Sequence, residues 1–424
     1  MSRQSNLSIF QENNEPAGPD EVTLRHDHLT FKGNQGRGRH DWLRLTPAYS
    51  VHLVEALADQ EETAAPVLDP FCGTGTTALV CTQRGIDCDT VDINPFLVWL
   101  ARAKCAPYSQ ETVLEAGDTL KRSVSRINPS GKYWIPKIQD ISKWWEEPVL
   151  GSLACVHTRL NSAGVSEAAS NLLRIVFCRV AIETAAVSFG HQSMSFKKRE
   201  RGDMILEEDP VARVRGRFLR AFEEIARSAI ELLQDPKARA VLGDSRSLGS
   251  VLDRNYATVI TSPPYPNRMS YIREVRPYMY WLRYLESGRQ AGELDWASIG
   301  GTWGCATSNL LKWTADYSTP IPFDGFDRVV TRIRERSPVL AQYVHKYFED
   351  TVHHVASLRG VLRPGARVFY VVGNSKFYDV MLPTHEIYGR VFAAQGFEQV
   401  AVRTIRKRTS KKELFEYVVS ARLP

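Results

Sequence analysis

A chain of 424 residues, 43% hydrophobic and 24% charged, has the make-up of a globular protein with room for two or three lobes, which excludes a disordered or fibrous chain. Its formal net charge of +6 tolerates a polyanionic partner without requiring one. Seven scattered cysteines without a CxxC pair exclude a disulfide framework and a zinc ribbon; with no signal-peptide pattern and no apolar run of bilayer length, a cytoplasmic protein with no membrane partner is expected.

Residues 1–25 read as a polar tail. In "GRHDWLRLTPAYSVHLVEALAD", Thr46 and Pro47 open a predicted helix whose N-terminus can receive a carboxylate or be plainly capped. From Pro66 the pattern is strand "VLD", a glycine-bearing turn, helix "TTALVCTQRG" and strand "IDCDTVD", the start of a βαβ unit and a parallel sheet. These elements make residues 26–106 the first half of an α/β domain. Residues 107–236 change character and read as a helical insertion, in which Asp209 and Pro210 open a long amphipathic helix. The α/β pattern resumes over 237–286, with strand "YATVI" running into "TSPPY". Residues 287–337 read as an irregular, Gly- and Trp-bearing insertion. Over 338–424 a helix, the strand "ARVFYVVGN", a second helix and two strands read as the end of the sheet, closing on an antiparallel hairpin.

Four short motifs carry chemistry. In "DPFCGTGTT", Gly73 and Gly75 allow the main chain to pass under a ligand, or simply to make a tight strand-to-helix turn. The turn has no following Lys-Ser/Thr and no third glycine, so it is neither a P-loop nor a dinucleotide fingerprint. Asp92 ends the second strand, where a carboxylate can take both hydroxyls of a ribose or cap the helix at Pro95. Asp244, in "VLGDSRSL", can accept from an adenine amine or cap a loop. In "TSPPY", tandem prolines end a strand between a hydroxyl and an aromatic ring; alone, this is equally a rigid turn with Tyr265 in the core.

In this order, "DPFCGTGTT", "VDINP", "GDSRSL" and "TSPPY" resemble the S-adenosylmethionine-dependent DNA amino-methyltransferases, and "LTPAYSVHLVEAL" resembles their carboxylate-binding helix start. The resemblance covers about half the chain. It implies a Rossmann-like class I methyltransferase sheet, mostly parallel, with a helical insertion. It implies that Thr46, Pro47, Asp69, Phe71, Gly73, Gly75 and Thr76 hold the methionine end of S-adenosylmethionine, that Asp92 holds the ribose and that Asp244 faces the adenine. Ser262, Pro263, Pro264 and Tyr265 are implied to be the catalytic loop. A serine before Pro-Pro points to cytosine N4 in this family, with adenine N6 as the alternative.

The loop that the resemblance implies has a chemical rationale. An exocyclic amine is a poor nucleophile until its lone pair leaves conjugation with the ring. Two acceptors aimed at its hydrogens, the Ser262 hydroxyl and the Pro263 carbonyl, achieve this. The resemblance implies that Tyr265 stacks on a base turned out of the duplex. No Pro-Cys dipeptide occurs, which speaks against cytosine C5 chemistry, and no metal-ligand cluster is visible.

Double-stranded DNA is the expected partner, held by Lys197, Lys198 and Arg199, by Arg268 and Arg273, and by Arg406, Lys407 and Arg408; either basic cluster can also be a solvated loop. The two insertions are candidates for reading sequence. A restriction endonuclease, if it accompanies this chain, is expected as a separate chain. An RNA amino-methyltransferase and a non-catalytic nucleotide-binding protein are the rival classes.

Overall fold

The computed structural model describes residues 26–45, 48–60, 63–188, 195–196, 209–231, 233, 238–302, 304–316, 318–408 and 413–424. Seven strands form one sheet: β1 (Val67–Asp69), β2 (Cys88–Asp92), β3 (Ala238–Leu242), β4 (Tyr256–Thr261), β5 (Leu362–Gly373), β6 (Glu398–Lys407) and β7 (Phe415–Arg422). Their order is β6-β7-β5-β4-β1-β2-β3. The pairs from β3 through β5 are all parallel, while β7 is antiparallel to both β5 and β6. This is a Rossmann-like α/β sheet of the class I methyltransferase kind, with β7 inserted between β5 and β6 to form the expected C-terminal hairpin.

The helices of the first half are α1 (Val51–Ala58), α2 (Thr76–Gln83), α3 (Pro95–Cys105), α4 (Gln110–Ser125), α5 (Ile141–Trp144), α6 (Glu147–Asn161) and α7 (Glu167–Glu183). The rest are α8 (Pro210–Ala229), α9 (Tyr271–Trp281), α10 (Gly288–Ala297), α11 (Cys305–Lys312), α12 (Phe326–Arg334), α13 (Pro338–Arg359) and α14 (Thr384–Ala394). Asp209 caps α8 through the Val211 amide, as its sequence predicts.

Successive strand residues point to opposite faces, and in the central strands β1, β4 and β5 both faces are covered and largely apolar, whereas the edge strand β6 is mostly exposed. Val67, Ile260, Phe369 and Val371 pack with α1 and α2. Leu68, Val259, Val368 and Tyr370 pack with α13 and α14. Helices α4 and α6–α8 share a third core with Phe96 and Leu100 of α3 and with Val275 and Met279 of α9. The helical block is thereby attached to the two helices that descend from the cleft-bearing strands.

Arg39 fastens this block from below. Its buried guanidinium donates to the carbonyls of Lys104 and Ala106 at the end of α3, and to those of Ser228, Ala229 and Glu231 at the end of α8. Helix C-termini present unsatisfied carbonyls and partial negative charge, so one cation serves both ends.

Residues 287–337 differ from the sequence-based expectation: they hold α10, α11 and α12 rather than irregular chain. These helices are short, and α11 and α12 start behind Gly304 and Gly325, both at positive φ, so breaker residues mask the helical period. Among the described residues no helix is long and apolar enough to cross a membrane.

Candidate active site

Ligands of open α/β sheets sit beyond the carboxyl ends of the strands. Here the ends of β1, β2, β3 and β4 open into one cleft of about 960 Å³, its open mouth included. The glycine turn forms its floor. Gly73 adopts φ 51°, and a Cβ there would meet only the Phe71 carbonyl at 3.7 Å, so a side chain would project into open space. Gly75, at φ 73°, is restricted from the other side: its Cβ would stand 2.9 Å from that of Ala101 on α3. One glycine thus leaves room for a ligand and the other lets α2 and α3 close up. Behind the turn, the buried Lys104 ammonium donates to the Thr74 carbonyl at 3.1 Å, and burial pulls its pKa down to about 8.

Asp92 lies in the cleft wall and accepts the Gly73 amide at 2.9 Å and the Asn94 amide at 2.8 Å, one on each oxygen. The helix-capping alternative for Asp92 does not hold, because Asn94 caps α3 through the Phe96 amide. Burial raises the Asp92 pKa to about 7 against the opposing pull of those amides. Asp244 also lines the cleft. It caps the following turn through the Arg246 amide and pairs with the Arg246 guanidinium. Burial pushes its carboxyl upward, but the contacts to Arg246 prevail and its pKa lies below the usual value. Phe71 lines the cleft with its ring edge against His354, and Thr76 is buried at the start of α2.

The Ser-Pro-Pro-Tyr segment leaves the end of β4 and brings Ser262 and Pro264 into the same cleft as Gly73, Asp92 and Asp244. The Ser262 hydroxyl donates to the Val371 carbonyl at 3.1 Å. Its single hydrogen is thereby spent, and its lone pairs remain for a donor in the cleft. Next to it, the Thr261 hydroxyl donates to Asp69 Oδ1 at 2.6 Å, tying the loop to the glycine turn across 192 positions of sequence. Asp69 is fully buried. Its Oδ1 also accepts the Phe71 amide, while Oδ2 has no hydrogen-bond partner, since the nearby Thr77 hydroxyl turns to the Ile260 carbonyl. Burial raises the Asp69 pKa to about 6. Pro263, between Ser262 and Pro264, is buried, and neither it nor Tyr265 is among the residues that line the cleft. The Tyr265 ring is half-buried, packed against Gly373, with the Arg408 guanidinium 5.8 Å from its centroid.

Three tyrosine hydroxyls fix this loop, and sequence reading missed all of them. Tyr271 accepts the Tyr265 amide, Tyr343 accepts the Arg268 amide, and Tyr347 donates to the Pro264 carbonyl at 2.7 Å. Asp295 was also missed: it is buried in the cleft wall, where its carboxylate accepts the Ser270 hydroxyl. It lies in the stretch read as irregular, so no periodicity marked it.

The expected DNA-contacting residues are divided by the structure. Arg268 and Arg273 are exposed beside the loop. Arg408 reaches the loop from beyond β6, whereas Arg406 is ion-paired to Glu416 at 2.7 Å on the neighbouring strand; Lys407 is exposed. Helix α1 begins at Val51 behind Ser50; Thr46 and Pro47, expected to open it, lie outside the described residues, as do Lys197, Lys198 and Arg199. Among the described residues no cluster of His, Cys, Asp or Glu could hold a metal ion.

Sheet order and cleft together define the class: a Rossmann-like fold whose strand ends carry a glycine turn, two acids and a serine–diproline loop. Curated relatives agree. The chain is similar to the type II methyltransferase M.BsoBI of Geobacillus stearothermophilus, with 23% identity over 93% of this chain and 86% of that one. It is similar to the type II methyltransferase M.MvaI of Kocuria varians, with 21% identity over 82% of this chain and 78% of that one. A shorter match, 32% identical over 17% of this chain and 16% of the relative, is to the type II methyltransferase M.AvaI of Nostoc sp.. No family model and no solved structure matches the chain.

Proposed function

We propose that this chain is a site-specific DNA methyltransferase that transfers a methyl group from S-adenosylmethionine to the exocyclic N4 amine of cytosine. The observation that carries the reading is the shared cleft, in which Ser262 and Pro264 face the glycine turn, Asp92 and Asp244. The residues fit that methyl donor: Gly73 leaves open space where a Cβ would intrude, and two acids stand at consecutive strand ends. S-adenosylmethionine, when bound, supplies an electrophilic methyl carbon.

In this reading the floor of Phe71 and Gly73 receives the amino-acid end, Asp92 the ribose hydroxyls, and Asp244 the adenine side. Ser262, its hydrogen committed to Val371, accepts from the target amine together with the Pro263 carbonyl, and the nitrogen lone pair is freed for in-line attack. The new nitrogen–carbon bond would form as the donor's sulfur–methyl bond breaks, leaving a neutral thioether, and the nitrogen would shed one proton to solvent. Tyr265, braced by Arg408, stacks on the extruded base, and Arg268 and Arg273 meet nearby phosphates. Cytosine N4 is favoured over adenine N6 by the serine that opens the loop. The type II relatives support a restriction–modification setting, with any endonuclease on a separate chain.

The test is to incubate the protein with methyl-labelled S-adenosylmethionine and duplex DNA or RNA, digest to nucleosides and identify the labelled one. N4-methylcytosine from DNA is expected. Label in N6-methyladenine would reassign the target, and label in RNA alone would overturn the DNA reading. Ser262→Ala is expected to lower turnover by roughly 100-fold, the scale of losing one well-placed transition-state hydrogen bond, with cofactor affinity nearly unchanged. Unchanged turnover would remove the loop from the mechanism.

A further inference from the structure

A second cleft lies in the helical block, outside the cofactor site. It encloses about 510 Å³ with its mouth and is walled by His157, Asn161, Arg174, Trp281, Leu282 and Arg283. Arg174 is exposed on α7 and Arg283 is exposed just past the end of α9. Neither guanidinium is ion-paired to a carboxylate among the described residues.

Arg283 is held in place by features other than charge pairing. Arg283 sits at φ 60°, a conformation that costs energy for a bulky residue. Its guanidinium lies 4.4 Å from the ring centroid of Trp134, and Trp134 stacks in turn on His157 at 5.1 Å. His157 Nε2 donates to the Trp281 carbonyl at 2.9 Å, which leaves Nδ1 to accept from the Asn161 amide at 3.3 Å. Burial, and after it the proximity of Arg283 and Arg174, keeps this imidazole neutral at physiological pH. The cleft therefore presents two positive charges, that of Arg283 held by Trp134, and no acid among its lining residues, with an amide and an aromatic wall around them. Guanidinium forks suit a phosphate.

We infer that the Arg174–Arg283 cleft seats a backbone phosphate of the bound DNA. This rests on the DNA reading above. Helix α9 links the two sites: Tyr271 at its start lines the cofactor cleft and Trp281 at its end lines this one. Its length of ~15 Å corresponds to about four base steps along a strand. The helical block then contributes an anchor away from the reacting base, one that positions the duplex without reading its sequence.

The test uses the full-length protein and a fluorescent duplex carrying the methylated site, with affinity measured by anisotropy over a range of salt concentrations. Arg174→Ala with Arg283→Ala is expected to weaken binding about 10-fold on cognate and unrelated duplexes alike, and to flatten the slope of log affinity against log salt by about 1. S-adenosylmethionine affinity, unchanged, shows that the variant is folded. Lys121→Ala, at an exposed position of α4 paired to Asp118, removes a charge outside both clefts and is expected to leave affinity and slope in place. If wild type binds and methylates DNA while the double variant keeps its affinity and slope, the phosphate assignment fails and the functional reading stands. Tight binding of inorganic phosphate by wild type, combined with unaltered duplex affinity in the double variant, would likewise overturn it in favour of a free-anion site. If wild type neither binds nor methylates DNA, the functional reading itself fails and this inference with it.

Discussion

Asp69 has one carboxylate oxygen with two donors and another with none, all in a site closed to water. Its folded pKa of about 6 exceeds that of an exposed carboxylate, so the native state binds its proton more tightly than the unfolded chain. The sign follows: the contribution to stability is complete below the unfolded pKa, near 3.8, and is lost as pH rises through about 6. Asp69→Asn keeps an oxygen for Thr261 and Phe71 and removes the titration. The fall in unfolding free energy between pH 4 and pH 7.5 should therefore be smaller in the variant by up to roughly 3 kcal/mol. Urea melts at the two pH values measure this; parallel profiles for both proteins would show that Asp69 is not the titrating group.

Helix α13 supports the Ser-Pro-Pro-Tyr loop from behind through Tyr343 and Tyr347, and Tyr347 also meets the Tyr388 hydroxyl of α14 at 3.1 Å. Tyr347→Phe removes the donor from the Pro264 carbonyl while preserving the ring in the core. Stability should fall by only about 1 kcal/mol, the usual net worth of one hydrogen bond. Methyl transfer should fall at saturating cofactor, with the cofactor dissociation constant unchanged; equal losses in both would mean that the tyrosine merely holds the fold. The difference between α13 and the loop it supports explains what was legible in the sequence. Gly73, Asp92, Asp244 and Ser262 each stand at a strand end, and each strand is followed by a local signal such as a glycine pair or tandem prolines. Tyr343 and Tyr347 sit within an amphipathic helix some eighty residues downstream, where an aromatic at helical spacing reads as core. The second cleft was equally illegible, because its walls come from α6, α7 and the turn after α9 and no local pattern joins them. The seven-strand order was only partly legible: strands could be placed, but the insertion of β7 between β5 and β6 is a tertiary choice.

For the molecule as a whole, the hydrogen bond from Thr261 to Asp69 spans 192 positions, and the helical block fills most of that interval. Closing a flexible loop of that length costs about 4–5 kcal/mol in chain entropy before β1 and β4 can pair. A block that collapses first on its own local contacts shortens the effective loop and lowers that cost. Refolding should accordingly proceed in two phases. Tryptophan emission from Trp144 and Trp145, both buried in the block, should recover early, and competence to bind the methyl donor should return later. A single shared rate in stopped-flow and ligand-binding traces would contradict that order. A crevice assembled last is also the first to open under mild denaturant, so a nascent or stressed chain would lose its chemistry well before its helices.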